Sequence, residues 1–438
     1  MPRPAITASL AARALTIGVA VVLVVATSAS AGSRAIRRIS VSSAEHQPNG
    51  NSLGPVLSAD GGFVVFRSKA SNLVQGDENR AQDVFVRDRR NGRTTRVSVA
   101  GDGSEGNGDS GGAAISADGR LVAFWSKASN LVEGDRNDRS DIFVRNRSDR
   151  TTTLISISSA GKHANAPSRA PALSANGRFV AFRSDASNLV PHDTNDTGDI
   201  FVHDLLTHET TRASIRFRGG QSNGRSRDPS LNANGRFVAF RSDASNLVRH
   251  DTNRVGDIFV HDRRSGRTTR VSVDSRGMQA SGCGVTGCGC DPVLSADGHL
   301  VSFWSSATNL VAGDTNDAWD VFLHDSRSGR TTRVSVGFGG SQGDGLSGEP
   351  WLSATGRFVA FASKAPLTGD ANGQWDVFVR DLRSGVTTDI SLDGAQGNGL
   401  STDPAISADG RYVAFYSFAS NLVVRDTNHA ADIFVRRR

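Results

Sequence analysis

Short apolar runs recur along this chain inside a regular polar frame. From Arg178 it reads RFVAFRS, and from Asp199 it reads DIFVHD. Runs of three or four apolar residues are too short for a helix, and they put apolar side chains on both faces of a strand. Both faces are therefore predicted to be covered. Ahead of each RFVAFRS-like strand lies a brief stretch of small residues, such as PALS from Pro171, and then an ADGR or ANGR turn of the hairpin type. Pro stands three residues before the turn Ser or Asn in six of seven copies, Ala113 being the exception. Pro donates no ladder hydrogen bond, so a strand start or edge is expected there. After each DIFVHD-like strand comes a polar turn such as DRRSGRTT, then an alternating segment, TRVSV from Thr269. That alternation predicts a half-exposed outer strand.

The pattern is a tandem repeat. Its turn Ser or Asn falls at 58, 116, 174, 232, 295, 353 and 407. The units lie near 54–99, 112–157, 170–215, 228–273, 291–336, 349–392 and 403–436. Four short strands per unit, repeated seven times, predict an all-β chain: a seven-bladed β-propeller of four-stranded antiparallel blades. The seventh unit stops at DIFVRRR without an outer strand, while GSRAIRRISVSS, from Gly32, is an outer strand without a blade. The segment from Ile36 to Val41 is expected to pair beside Asp432 to Arg436, complete the last blade and close the ring.

Residues 1–31 have the form of a secretory signal peptide. Arg3 and Arg13 precede the thirteen-residue run ALTIGVAVVLVVA, and TSASAG offers a cut between Ala31 and Gly32. A transmembrane helix needs roughly twenty apolar residues. The remaining residues, 32–438, are expected to be exported, to the cell envelope or beyond it, as a monomer without a transmembrane segment. The formal charge of +6 falls to +4 without Arg3 and Arg13, and Arg alternates with Asp along the repeats. This is a mixed-charge surface and a faint signal for nucleic acid, which is not an expected partner. Cys283, Cys288 and Cys290 lie within CGVTGCGC. In an exported chain they are candidates for one local disulfide with a thiol left over. Their spacing lacks the paired C-x2-C of common zinc sites.

P-x-L-S-A-D-G-R-x-V-A-F-x-S followed by D-I-F-V-x-D-x-x-S-G-x-T-T-R-V-S-V resembles the WD-like propeller repeat of TolB-type proteins. The resemblance spans all seven units and implies the propeller fold. The separate N-terminal domain of TolB has no counterpart in the repeat, so a part in the Tol envelope system is not implied. The family includes envelope scaffolds, peptidase propellers and polysaccharide lyases.

The SADGR and DRRSGRTT turns belong to one face of such a ring. The longer, more varied loops belong to the other, where binding is expected. On that face Asp-x-Asn-x-x-x-Asp recurs in every unit, as Asp77, Asn79, Asp83; Asp135, Asn137, Asp141; Asp193, Asn195, Asp199; and Asp251, Asn253, Asp257. It continues as Asp314, Asn316, Asp320; Asp370, Asn372, Asp376; and Asp426, Asn428, Asp432. Two readings stay open: side chains that cap their own turns, or oxygen ligands for calcium. Trp319 and Trp375 hold one loop position in units five and six, Trp351 lies on the inner strand of unit six, and that unit has a shortened loop. A ligand platform for a sugar or extended peptide is expected there, against packing between blades, the reading given to Trp125 and Trp304. His203, His261 and His324 are expected at the surface. His192 and His250, beside Asp193 and Asp251, are the nearest approach to an acid–base pair, and no catalytic residue is assigned.

The chain is thus expected to be a binding or scaffolding propeller for a protein or cell-envelope glycan, with no cofactor required. A glycan-acting lyase or hydrolase on the long-loop face and a calcium-stabilised ring are the alternatives.

Overall fold

The computed structural model describes Met1 and residues 36–282, 291–369, 372–392 and 396–438. The body of the expected signal peptide, all three Cys and Asp370 lie outside these residues. Seven four-stranded antiparallel sheets follow one another along the chain. In the first blade the order is Ser52–Leu57, Phe63–Ser68, Asp83–Asp88 and Arg93–Arg96. This is the seven-bladed β-propeller that the repeat predicts. No helix among the described residues is long and apolar enough to cross a membrane.

The doubly apolar strands are the second and third of each blade, and both are buried. They meet through a cross-strand Phe pair in every blade. Phe66 faces Phe85 with ring centroids 5.9 Å apart, and Phe415 faces Phe434 at the same 5.9 Å. Offset aromatic pairs of this kind add to the area they bury. Blade packing is also strict at the hairpin Gly. A Cβ on Gly119 would sit 2.2 Å from the Phe63 ring of the preceding blade, and Gly119 has φ +75. No other residue fits both demands.

Two belts hold neighbouring blades together. At the hairpin turns, Ala59 N–H donates to Ala117 O at 3.1 Å, Ala117 N–H to Ala175 O at 3.0 Å, Asn176 N–H to Ala233 O at 3.1 Å, and so on to Ala408 N–H, which donates to Ala59 O at 2.9 Å. The second belt joins the exit of the third strand to the second strand of the preceding blade at six of the seven boundaries; between blades four and five Ser326 holds the exit position and Phe237 meets His299 at 5.9 Å instead. Arg147 lies 4.4 Å over Phe63, Arg263 4.3 Å over Phe179, Arg438 3.5 Å over Phe358 and Arg89 4.3 Å over Tyr412. Where the ring is Leu121 or Leu300 instead, the partner is Leu205 or Leu382, in the same apolar cluster.

The ring closes as expected. Arg37–Arg38 pairs antiparallel with Asp432–Arg437, with Arg37 opposite Val435 and Arg38 opposite Phe434. Ile39 N–H continues the ladder to Ile433 O at 2.7 Å.

Two expectations on strand limits are corrected. The inner strand begins upstream of the Pro, at Ser168 rather than Pro171 in blade three, and the Pro lies inside it. A bulge between Arg169 and Ala172 makes this possible, because a bulged residue makes no ladder bond. The outer strand ends early, at Arg270 in blade four: Val271 N–H adds one more bond to Ile258 O at 2.8 Å, and the chain then folds back on itself through a bridge between Val273 and Gln279.

Candidate functional site in the central channel

The Asp-x-Asn-x-x-x-Asp loops are bonded internally in all seven blades. Asn79 Nδ2 donates to Asp83 Oδ2 at 3.0 Å, and Asn79 Oδ1 accepts from Ala81 N–H at 2.8 Å. The same pair of bonds is made by Asn137, Asn195, Asn253, Asn316, Asn372 and Asn428. The last Asp accepts a buried Ser hydroxyl, as Asp83 does from Ser98 at 2.5 Å. In five blades an Arg lies between first and last Asp. Arg96 reaches Asp77 at 3.3 Å and Asp83 at 3.4 Å. Arg212, Arg270, Arg333 and Arg38 do the same for Asp193 and Asp199, Asp251 and Asp257, Asp314 and Asp320, and Asp426 and Asp432. Burial pushes Asp77 up to about 6, with Arg96 opposing. Leu154 and Asp389 hold the Arg position in blades two and six, beside Asp135 and Asp141 and beside Asp376. Among the described residues no three His, Cys, Asp or Glu side chains are disposed to hold a metal ion.

The three Trp do not form one platform. Trp319 packs edge-on against Trp304, with centroids 4.8 Å apart, and Trp375 lies under Lys364 at 5.8 Å. Trp351 packs in the cluster between blades six and seven and lines the central channel.

The His expectation is corrected. His203, His261 and His324 are buried, each with Nδ1 on a Thr hydroxyl at 2.9–3.0 Å. Thr210 and Thr331 hydroxyls donate onward to Ile157 O and Val273 O, so His203 and His324 must donate from Nδ1–H. In blade one Arg87 fills this place and donates to Thr94 in the same way. Burial lowers His203 and His261 to about 4. His192 and His250 are exposed, and their neighbours Asp193 and Asp251 are engaged by Arg212 and Arg270. The letters G-x-S-x-G occur around Ser52, Ser110, Ser222 and Ser341, and Ser52 is buried on an inner strand and bonded to Ser68 Oγ at 3.0 Å. Ser110 is buried on an inner strand and bonded to Ser126 Oγ at 2.8 Å, and the described chain has no α-helix to form a nucleophile elbow.

What the loop reading missed lies on the inner strands. The residue before each Pro sits at the bulge, and in blades one to three it is Gly54, Gly112 or Ala170. In blades four to seven it is Asp228, Asp291, Glu349 or Asp403. Asp228, Glu349 and Asp403 adopt φ of 56, 53 and 53, a left-handed conformation that is strained for residues with a Cβ. Asp228, Asp291 and Trp351 line a channel cavity of about 420 Å³ opposite Gly112 and Ala170. One half of this station is thus acidic and the other nearly without side chains. The sequence did carry the signal, as G-P, G-A, A-P, D-P, D-P, E-P and D-P along otherwise equal units.

The electrostatics follow from crowding. Burial and then Asp228, Asp403 and Glu349 push Asp291 up to about 7, against Arg241. Asp291 still has surface open to the channel water, although protein surrounds it on every other side. Burial and then Glu349 push Asp403 up to about 7, against Arg67. Burial and then Glu349 and Asp403 push Tyr416 up to about 12. Glu349 is fixed by the Thr402 hydroxyl and by Asp403 N–H at 2.7 Å. Nearby Arg227 and Arg183 are engaged by Asp243 and Asp185. The arginines therefore offset the acidic half-ring without neutralising it.

Solved structures match this chain by shape. An oligogalacturonate lyase in complex with manganese is 12% identical, with 92% of each chain covered and a TM-score of 0.54. The propeller domain of the Trilobed protease from Pyrococcus furiosus is 11% identical, with 88% of this chain and 95% of that one covered and a TM-score of 0.53. TolB from Acinetobacter baumannii is 16% identical, with a TM-score of 0.42, and this chain spans 66% of its length. TolB propellers are thus among the structural neighbours, as the repeat implies, and at such identities the likeness is one of fold. No family model matches the chain, and no curated protein matches it.

Proposed function

We propose that this chain is an exported binding module, and that its partner, a protein or an envelope glycan, inserts a cationic group into the acidic half of the central channel. One observation carries the reading. The carboxylates repeated in every blade are used up in turns and ion pairs, whereas Asp228, Asp291, Glu349 and Asp403 break the repeat at one station, where Asp228 and Asp291 line open space and Glu349 and Asp403 add their charge behind them. An ammonium or guanidinium group there relieves like-charge repulsion, which favours binding without any change of shape.

Capture tests this. Residues 32–438 and a D291N/D403N variant are immobilised, and extracts of the source envelope and medium are passed over both. A partner held by the first and lost by the second supports the reading. Equal retention by both refutes it.

A glycan-acting enzyme is the second reading, favoured by two carboxyls held near neutral pH, where general acid–base groups work well. Four acids in one channel repel a polyuronide, so the substrate in that case is a neutral or amine-bearing glycan. Turnover of such oligosaccharides, lost in D291N and D403N, separates it from the binding module.

A further inference from the structure

A groove of about 580 Å³ runs between the outer parts of blades one and two, and its lining includes Arg93, Arg145, Arg147, Arg150 and Asp88. Two of these guanidiniums belong to the frame. Arg145 donates to Ala100 O and Thr152 Oγ1, each at 2.9 Å, and Arg147 donates to Gly119 O at 2.6 Å while covering Phe63. The other two do not. The exposed Arg93 and Arg150 side chains make no hydrogen bond or ion pair among the described residues. Asp88 is bonded to its own turn, at Arg90 N–H. Burial and then the charge of Arg150 lower Arg145, while burial lowers Arg147, with Asp88 opposing and Arg93 adding to the lowering.

The cluster's Arg150 member is what sets this boundary apart. Where blade one has Arg93, blades four and five also have arginine, Arg267 and Arg330, while blades two, three and six have Thr151, Glu209 and Val386. Another arginine-lined groove, of about 470 Å³, holds Arg216, Arg218, Arg249 and Arg267 but has no counterpart of Arg150. Where blade two has Arg150, blades one, four, five and six have Gly92, Gly266, Gly329 and Gly385. Arg150 holds φ +57, a conformation that those glycines adopt without strain. His208 of blade three shares that conformation at φ +60 with its ring 6.2 Å from the His203 ring, whereas the Arg150 side chain makes no bond among the described residues and is free to meet a ligand.

We propose that this groove binds the carboxylate or sulfate groups of an anionic glycan. Arg forks match planar oxyanions in pairs. The volume suits one or two sugar residues. The half-buried Val74 and Thr95 side chains supply apolar surface for a sugar ring, and no aromatic side chain lines the groove to stack a nucleic-acid base. This site is separate from the channel and does not depend on it.

The test is a titration with a uronate oligosaccharide, a sulfated oligosaccharide and neutral dextran. The intact chain, R93Q/R150G and R264Q/R276Q are compared. The last variant removes the same charge from two exposed loop positions of blade four that line neither groove, and R150G restores the residue used in four other blades, so folding is preserved. We expect an anionic probe to bind, dextran not to, and affinity to fall at least tenfold in R93Q/R150G and by less than threefold in R264Q/R276Q. Which anionic probe binds more tightly distinguishes carboxylate from sulfate. Equal losses in the two variants, or no binding of either anionic probe, overturn the proposal, and neither result bears on the channel.

Discussion

Ser40 donates a buried hydrogen bond of 2.6 Å to Asp432, across 392 positions of sequence. It is the blade-seven form of a bond that every other blade makes locally, as Ser98 does to Asp83. Its hydroxyl also accepts from Ile433 N–H at 2.9 Å. The two ends of the chain are therefore fastened by the repeat's own chemistry. S40A should destabilise the ring by about 1–3 kcal/mol, the usual cost of orphaning a buried polar partner. Deleting residues 32–43 should lower the melting temperature much further. An unchanged melt after the deletion is incompatible with closure.

The Arg–aromatic belt calls for a double-mutant cycle. R147L and F63L each break a matched pair, while R147L/F63L copies the Leu121 and Leu205 pair of the next boundary. Each single change should cost about 0.5–2 kcal/mol, and the double variant should recover part of the loss. Strict additivity, measured by chemical unfolding, means that the two residues are not coupled.

If the ring takes up calcium, two blades are left for it. An arginine already bridges the two outer carboxylates in five blades, so a calcium-dependent rise in melting temperature should come from the blades carrying Leu154 and Asp389. L154R and D389R together should then abolish the rise. A rise that persists in the double variant contradicts this assignment, and identical melts in calcium and chelator remove calcium from the account.

The channel acids should cost stability at alkaline pH. Asp291 and Asp403 titrate near 7 when folded, against a reference of 3.8. Between these values the folded chain binds more protons than the unfolded one, so their contribution falls as pH rises. Below about pH 4 both states are protonated and the cost disappears. D291N/D403N should therefore melt higher than the parent at pH 8 and equally at pH 4. A lower melt at pH 8 indicates a structural role instead.

The fold was legible because its physics repeats. RFVAFRS, DIFVHD and the Asp-Gly turn state the same strands seven times, and the orphan strand at Arg37–Arg38 announced closure. The inner strand was cut short because Pro171 reads as a strand start, and only a bulge lets it stand within the ladder. Burial of His203 was hidden because its partner Thr210 takes its own acceptor, Ile157 O, from another blade. The acidic half-ring was written at the residue before each Pro. Its meaning depended on knowing that these positions of neighbouring blades come together at one station, with Asp228 and Asp291 on the channel cavity.

The most direct measurement is a titration of the intact chain with a tri-lysine peptide at pH 8 and pH 5.5. Ammonium binding needs ionised carboxylates, so affinity should be full at pH 8, decline through about pH 7 with Asp291 and Asp403, and be lost in D291N/D403N. Binding that is absent at pH 8, or equal at both pH values and in the variant, contradicts a channel built to hold a cation.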